Sequence, residues 1–483
     1  MTDSSLGPLY GLVADAAGQA EVIAELAGLL RLLGARVDVH AGPGPGRVAI
    51  RASVTGTRGA ASLSDTVAAL PGLPSAVPAR AAGALLALAA VLSLFSGREV
   101  TVDAADVAVM LLLPVVMAVG YGAPPPTRRA PLACHGGLVA AELGAPGDAE
   151  TFELLLSNLP EDASVREVCD QAQTWRLPVV PYLSAQDRAV QGDWSAGPLV
   201  AGTEGRWGTA PPSSGPGSAE APLAGMRVVD LTVMWAGPLA TWLLAGLGAQ
   251  VTTIEPSIRP DGSRASQGGG IYPGGVLVPG DGTRSAMFNA FSDGKDRRDL
   301  DLRRPADITE FNRLLDSADV LVDNLSPRAR AQLGIAEFAE KNRNPALVAV
   351  SLPAFGVHDR HRSWVAYGSL VHAISGLALP DPLAEPVPAA TAYPDPLAGI
   401  IAALAAVASL WGRDAGWRPS RTIEVPLAAT VAGLEPDTDH GLMLRRDPTD
   451  LAKDLIRDRG DLFRSYAVGG ESLPHPRIPF VMR

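Results

Sequence analysis

The chain has 483 residues, 47% apolar and 5% aromatic, with a formal net charge of −11. This length implies two or more domains around a sizeable core, and the acidic balance, with no long basic run, excludes a nucleic-acid partner held by its phosphates. Two cysteines, Cys134 and Cys169, exclude a disulfide framework and fit a reducing, cytoplasmic setting.

The N-terminal stretch "MTDSSLGPLYGLVADAAG" carries an acid and no basic segment, so it does not read as a signal peptide. "LLRLLGARVDVH" (29–40) reads as a helix passing into a strand, and "GPGPG" (42–46) as a turn-rich connection rather than a phosphate cradle. "SAVPARAAGALLALAAVLSLFSG" (75–97) is an apolar helix, and 104–120 is a second apolar stretch. The most apolar part of the first, 81–97, falls just short of spanning length, and the second has acids at its start and a proline inside. Both are therefore expected to be buried helices, with no membrane span. "TAPPSSGPGSAEAP" (209–222) has no apolar period and reads as a linker. It divides the chain into 1–208 and 223–483.

Beyond the linker the rhythm is β/α. "MRVVDL" (226–231), "QVTTIE" (250–255), "DVLVDN" (319–324) and "ALVAVSL" (346–352) are expected strands. Helices are expected over 237–249, 305–318 and 335–343. Strands alternating with helices point to a parallel sheet with crossover helices.

The chain also resembles itself. "VPARAAG" (77–83) aligns with "YPDPLAG" (393–399), and the apolar helices that follow align without a gap. "LLRLLGARVDVH" aligns with "LLAGLGAQVTTI" (243–254) in the same order. A degenerate internal duplication is expected, its first copy lacking much of the middle. Asp395 of the second copy faces Ala79 of the first.

Five ordered segments carry a resemblance to a known family: "PLAGMRVVDLTVMWAGPLATWLLAGLGAQVTTIEP", "FNAFSDGKDRRDLDL", "ADVLVDNLSPRARAQLGI", "VAYGSLVHAISGL" and "YPDPLAGIIAAL". Together they resemble the family III CoA-transferases, the formyl-CoA and carnitine–CoA transferase group. Over 221–430 the resemblance is clear, and over 75–205 it is to the later half of the family pattern. The resemblance implies an α/β fold, a Rossmann-like large domain with a smaller α/β domain. It also implies an acyl-CoA thioester and a carboxylic acid as substrates, no permanently bound cofactor, and an interlocked homodimer, which one duplicated chain could imitate as a pseudo-dimer. The family nucleophile aligns with Asp395. The family's CoA contacts align with Trp235, Ala236, Lys295, Asn324, Leu325 and the strip Val365–Tyr367, which includes Ala366. Three basic positions of the family are here Thr253, Pro256 and Gln332, leaving Arg259, Arg264, Arg297 or Arg330 to meet the CoA phosphates.

Asp395, followed by Pro at the start of an apolar helix, fits two roles. It can cap the helix, or it can attack a thioester as a carboxylate already ionised at pH 7, aided by the helix N-terminus. Asn324 can form a turn or meet a ligand at the sheet edge. Trp235 can stack on adenine or cover the core, and Lys295 can contact CoA or remain a solvated charge. "HDRH" (358–361) lacks a third ligand at metal-binding spacing, and His372 on an apolar helix reads as packed. Two other activities stay open. One is a 2-methylacyl-CoA racemase, whose aligned members carry His where this chain has Tyr367. The other is a non-catalytic or regulatory homologue.

Overall fold

The structure is a computed structural model. It describes residues 13–17, 19–33, 35–39, 49–54, 57–65, 67–126, 130–191, 218, 220–265, 270–277, 285–335, 344, 346–357, 359–379, 385–414, 423–435 and 447–482. The expected linker at 209–222, the 42–46 connection and the helix expected at 335–343 lie wholly or largely outside these residues.

The second half is built on a parallel sheet. Its strands are β9 (Arg227–Leu231), β10 (Gln250–Ile254), β11 (Lys295–Arg298), β12 (Val320–Asp323), β13 (Val348–Ser351) and β14 (Ile423–Glu424). They run side by side as β11-β10-β9-β12-β13-β14, every pair parallel. β12 and β13 are buried at every position. A strand covered on both faces needs an unbroken apolar run rather than alternation, and "VLV" and "VAV" supply it. Helix Ala236–Gly246 crosses from β9 to β10, and helix Pro305–Asp316, with proline in its first turn, crosses from β11 to β12. The strand order reverses between β9 and β12, as in a doubly wound Rossmann-like sheet, and the carboxyl ends of those strands flank the crevice where such sheets take ligands.

A mixed sheet occupies the first half: β1 (Val13–Ala17), β2 (Arg36–Val39), β3 (Ala49–Val54), β4 (Thr57–Leu63) and β5 (Glu99–Val102). The last strand of the chain, β17 (Phe480–Met482), joins it antiparallel to β5, so the order is β17-β5-β4-β3-β1-β2. Five positions of this order match the other sheet: β5, β4, β3, β1 and β2 stand where β14, β13, β12, β9 and β10 stand. β3 departs in direction. It forms an antiparallel hairpin with β4, whereas β12 is parallel to its neighbours.

A smaller α/β unit holds β6 (Leu132–Cys134), β7 (Gly137–Ala141) and β8 (Val179–Pro181) in one antiparallel sheet. Phe152 and Leu155 of helix Asp148–Asn158, and Val168 and Cys169 of helix Val165–Thr174, pack with Val139 and Val179 of that sheet. Ser164 and Glu167 close a reciprocal cap on the second helix. Strands β15 (Phe463–Val468) and β16 (Glu471–Pro476) form a hairpin.

The two apolar helices, Val77–Ser96 and Pro394–Asp414, pack against each other inside one shared core. Both contain stretches long and apolar enough to cross a membrane, and 94% of each stretch is buried in the protein. Arg80 ties the halves together: its guanidinium pairs with Glu25 and donates to the carbonyls of Thr430 and Ala432.

Candidate functional site

The loop after β9 lies at the point where the strand order reverses, and three side chains hold its backbone. Buried Asp230 accepts from Thr232 N–H at 2.9 Å and from its hydroxyl at 2.6 Å. Asn324, just past β12, accepts from Val233 N–H at 3.1 Å and donates to Val233 carbonyl at 2.8 Å. Met234 has a left-handed φ of 72° and donates its N–H to the Asp261 carboxylate at 3.1 Å. A side chain in that region is strained, and Asp261 holds it there. Trp235 follows, buried, with its indole N–H unpartnered among the described residues. A buried donor left unpaired costs about 1–3 kcal/mol. Ala236 opens the next helix and is also buried.

Two of the expected CoA contacts are engaged within the protein. Lys295 is inside the protein. Its ammonium reaches Asp230 Oδ2 at 3.1 Å, Thr241 Oγ1 at 2.6 Å and Pro238 carbonyl at 3.0 Å, and its side chain is 4% exposed. Burial lowers its pKa, against the opposing pull of Asp230. It forms a buried ion pair with Asp230. Asn324 uses both ends of its amide on Val233, so it pins the loop that a ligand would meet. Leu325, beside it, is half-buried on the second apolar cluster.

Asp395 is the second residue of helix Pro394–Asp414 and is buried. Its carboxylate accepts from the backbone N–H of Gly368 at 3.0 Å rather than from the N–H groups of its own helix, so it is not a cap. Gly368 begins helix Gly368–Ile374, with Tyr367 at the cap position. A Cβ on Gly368 would lie 2.2 Å from Asp395 Oδ2, so only glycine permits this contact. Burial is the main force on the Asp395 carboxyl. It outweighs the Gly368 hydrogen bond, and with the nearby negative charge of Glu142 it pushes the pKa up to about 7. The site thus favours the protonated carboxyl more than the sequence expectation of an aspartate already ionised at pH 7 allows.

Glu142 follows β7 in the smaller unit, in the first half of the chain. It accepts from Ser369 Oγ at 2.7 Å. Gln173, from the same unit, grips Val365: it accepts from Val365 N–H at 2.7 Å and donates to its carbonyl at 3.0 Å. The strip Val365–Ser369 is thus held from the first half, with Ala366 half-buried within it and Tyr367 40% exposed. Burial raises the Tyr367 pKa, as do Glu142, Asp148 and Asp395, while Arg259 opposes them. Arg259 is therefore within electrostatic reach of Tyr367. Gly399, one turn beyond Asp395, lets that helix touch the start of helix Ala236–Gly246: a Cβ there would lie 2.6 Å from Ala236 carbonyl. This contact packs the helix that carries Asp395 against the start of the helix that follows Trp235.

The other three candidate cations are engaged. Arg264 forms a two-pronged pair with Glu255 at 2.7 and 2.9 Å and stacks on Phe288. Arg297 reaches Glu255 at 3.1 Å, and Arg330 pairs with buried Asp323 at 3.1 Å. Arg259 makes no ion pair among the described residues. His372 is packed, with one ring nitrogen on Tyr393 hydroxyl and the other on Val387 carbonyl. A cavity of about 440 Å³ opens between the smaller unit and residues 360–386, with Arg166, Tyr182, Arg360, His361 and Trp364 in its wall.

Glu142, Ser369, Gly368 and Gln173 carry no signal at the level of sequence that assigns them here. The only hint is the glycine directly after Tyr367.

Residues 223–447 match the family model "CoA-transferase family III". The chain is 29% identical over 191 residues to the succinate–glutarate CoA-transferase of Agrobacterium fabrum, covering 39% of this chain and 47% of that one. It is 29% identical over 180 residues to the acetyl-CoA:oxalate CoA-transferase of Acetobacter aceti, covering 37% and 41%. The chain thus spans less than half the length of these curated relatives. Among solved structures, a Mycobacterium tuberculosis protein is similar at 27% identity and TM-score 0.37, over 44% of this chain and 56% of its own. A CaiB/BaiF family protein from Brucella suis is similar at 21% identity and TM-score 0.37, over 52% and 65%.

Proposed function

From the membership of residues 223–447 in CoA-transferase family III, we propose that the protein moves CoA from an acyl-CoA thioester to a carboxylic acid, with Asp395 as nucleophile. The observation that carries this reading is a buried carboxylate gripped by Gly368 N–H, near the start of a helix that touches Ala236 just after the loop where the parallel sheet reverses its order. The relatives named for succinate, glutarate and oxalate support carboxylic acids as the substrate class.

The ionised form of Asp395 attacks the thioester carbonyl. The C–S bond breaks, CoA leaves as thiolate, and a mixed anhydride remains on the aspartate. The thiolate then attacks the aspartyl carbonyl and expels the donor acid as carboxylate, leaving an aspartyl-CoA thioester. An acceptor carboxylate attacks that thioester, and the two steps run in reverse. The energy of the thioester is kept throughout, because no water takes part. The partly protonated state of Asp395 in the empty site makes ionisation on substrate binding part of the cycle. Trp235, with its unpartnered N–H, and Arg259, within electrostatic reach of Tyr367, are the groups of this chain best placed to meet CoA.

The test is Asp395→Ala together with mass spectrometry. Wild-type protein incubated with acyl-CoA esters is expected to show a covalent adduct on the peptide bearing Asp395. The variant is expected to lose transfer by about 10³-fold or more. Full activity in the variant would sink the reading.

One observation favours a second reading. A carboxyl with a pKa of about 7, facing another carboxylate, suits proton transfer next to a thioester carbonyl. Exchange of the substrate α-proton for deuterium without transfer would select that racemase-type chemistry.

We also read the chain as an internal duplication that forms a pseudo-dimer within one polypeptide. The matching order of five strands supports this. So does a paired contact: a Cβ on Gly83 would meet Val22 carbonyl and Leu26 N–H nitrogen, as one on Gly399 would meet Ala236 carbonyl. Gly83 aligns with Gly399, and Val22 with Ala236.

A further inference from the structure

We propose that Glu142, supplied by the smaller unit of the first half, is a positioning residue of the Asp395 site: through Ser369 it fixes the turn whose Gly368 N–H grips the nucleophile, and it sets a negative charge near that nucleophile. The inference rests on the reading of Asp395 as the reacting group, but its test does not depend on which reaction follows.

Geometry provides the first support. Glu142 and Asp395 both act on the same two-residue turn. Ser369 Oγ donates to Glu142 at 2.7 Å, and the adjacent Gly368 N–H donates to Asp395 at 3.0 Å. Displacing Glu142 frees the turn on one side, so the grip on Asp395 loosens. Gln173 holds the same strip from the other end at Val365. The clamp is thus anchored at both ends by residues of the 130–191 unit, and the second half does not complete it alone.

Electrostatics adds the second support. The charged or titratable groups facing this site come from several elements. Glu142 follows β7, and Asp148 begins the helix after it. Tyr182 follows β8, Tyr367 caps helix Gly368–Ile374, and Arg259 follows β10. Glu142 acts on Asp395, Tyr367 and Tyr182 alike, in each case favouring the protonated form. In a water-poor site a like charge opposes ionisation strongly. An incoming acyl-CoA that shields Glu142 or brings Arg259 inward would release the Asp395 proton only when substrate is in place. The empty enzyme would then hold its nucleophile partly in check.

The experiment compares wild type, Glu142→Gln and Ser369→Ala by infrared titration. The protonated-carboxyl stretch is assigned to Asp395 by its loss in Asp395→Asn. It is expected to vanish in wild type with a midpoint near pH 7. In Glu142→Gln, which keeps the hydrogen-bond acceptor and removes the charge, the midpoint is expected to fall by on the order of one pH unit. Ser369→Ala keeps the charge and cuts the tether. The loosened Gly368 bond then lowers the pKa less, so the midpoint is expected to rise rather than fall, and kcat to drop by about tenfold. An unchanged midpoint in Glu142→Gln overturns the inference. So does wild-type kcat in Ser369→Ala. The titration needs no substrate, so it stands or falls separately from the proposed transfer. If Glu142→Gln does not fold, Glu142→Asp, which keeps charge but shortens the reach, is read by kcat. Wild-type kcat there also overturns the positioning role.

Discussion

Asp395 shows how one residue's environment overrides its type. Its sequence context suits a helix cap, but its carboxylate turns away from its own helix to Gly368, and burial lifts its pKa to about 7. An acid whose folded pKa lies above its unfolded value, about 3.9, favours folding while protonated. Its contribution is whole below about pH 4 and is lost as pH rises through about 7. Asp395→Asn removes the cost of ionising in the core. The variant is expected to melt at the same temperature as wild type near pH 4 and higher at pH 8. The gap corresponds to at most ~4 kcal/mol. Calorimetry across this range checks it, and equal melting temperatures at pH 8 would contradict the burial argument. Asp106 behaves in the same direction: burial raises its pKa to about 7 although Arg477 lies 3.2 Å away. Pairing at that distance does not replace lost hydration.

Among the elements, the two apolar helices decide the arrangement. Each has a glycine one turn in, Gly83 or Gly399, that lets a neighbouring helix approach to backbone contact. At Gly399 a methyl group would lie 2.6 Å from Ala236 carbonyl and 3.1 Å from Leu239. A helix carbonyl has no room to swing aside. Gly399→Ala is therefore expected to push the helices apart at a cost of about 1–3 kcal/mol. It should also lower kcat, because the displaced helix carries Asp395. Denaturant unfolding and steady-state rates on the same preparation test both effects. A stable variant with wild-type rates would mean that the helix contact does not position the site.

At the scale of the molecule, the two halves complete each other. β17 comes from the end of the chain and closes the first-half sheet against β5. The helices Val77–Ser96 and Pro394–Asp414 cover each other's apolar faces. Glu142 and Gln173 of the first half reach the strip beside Asp395. Residues 1–208 and 223–483, produced separately, are expected to aggregate or stay unfolded, since each would expose an apolar helix and a bare sheet edge. Co-production is expected to restore a soluble complex. A cooperative melting transition in either piece alone would refute this dependence.

The strands β9, β12 and β13 were legible from sequence because a doubly covered parallel strand leaves a dense apolar run, and turn residues mark its ends; β10, less buried, was legible from its place in the alternation. The apolar helices were legible for the same reason, and with them the position of Asp395 at the start of one. The parallel, Rossmann-like class followed from the alternation of strands and helices. Sequence could not show where the charges go. Lys295 sits in "KDRRDLDLRR", which reads as a solvated basic cluster, yet the tertiary fold turns that one side chain inward to Asp230. Asn324, Arg264 and Arg330 were likewise spent on partners far away in the chain or hidden in the core. Glu142 reaches Ser369 across more than two hundred residues, and no local pattern encodes such a meeting. Apolar periodicity is a property of neighbouring residues and can be read along the chain. Ion pairing, desolvation and the pKa of a buried acid depend on what the fold brings near, so only the tertiary structure decided them.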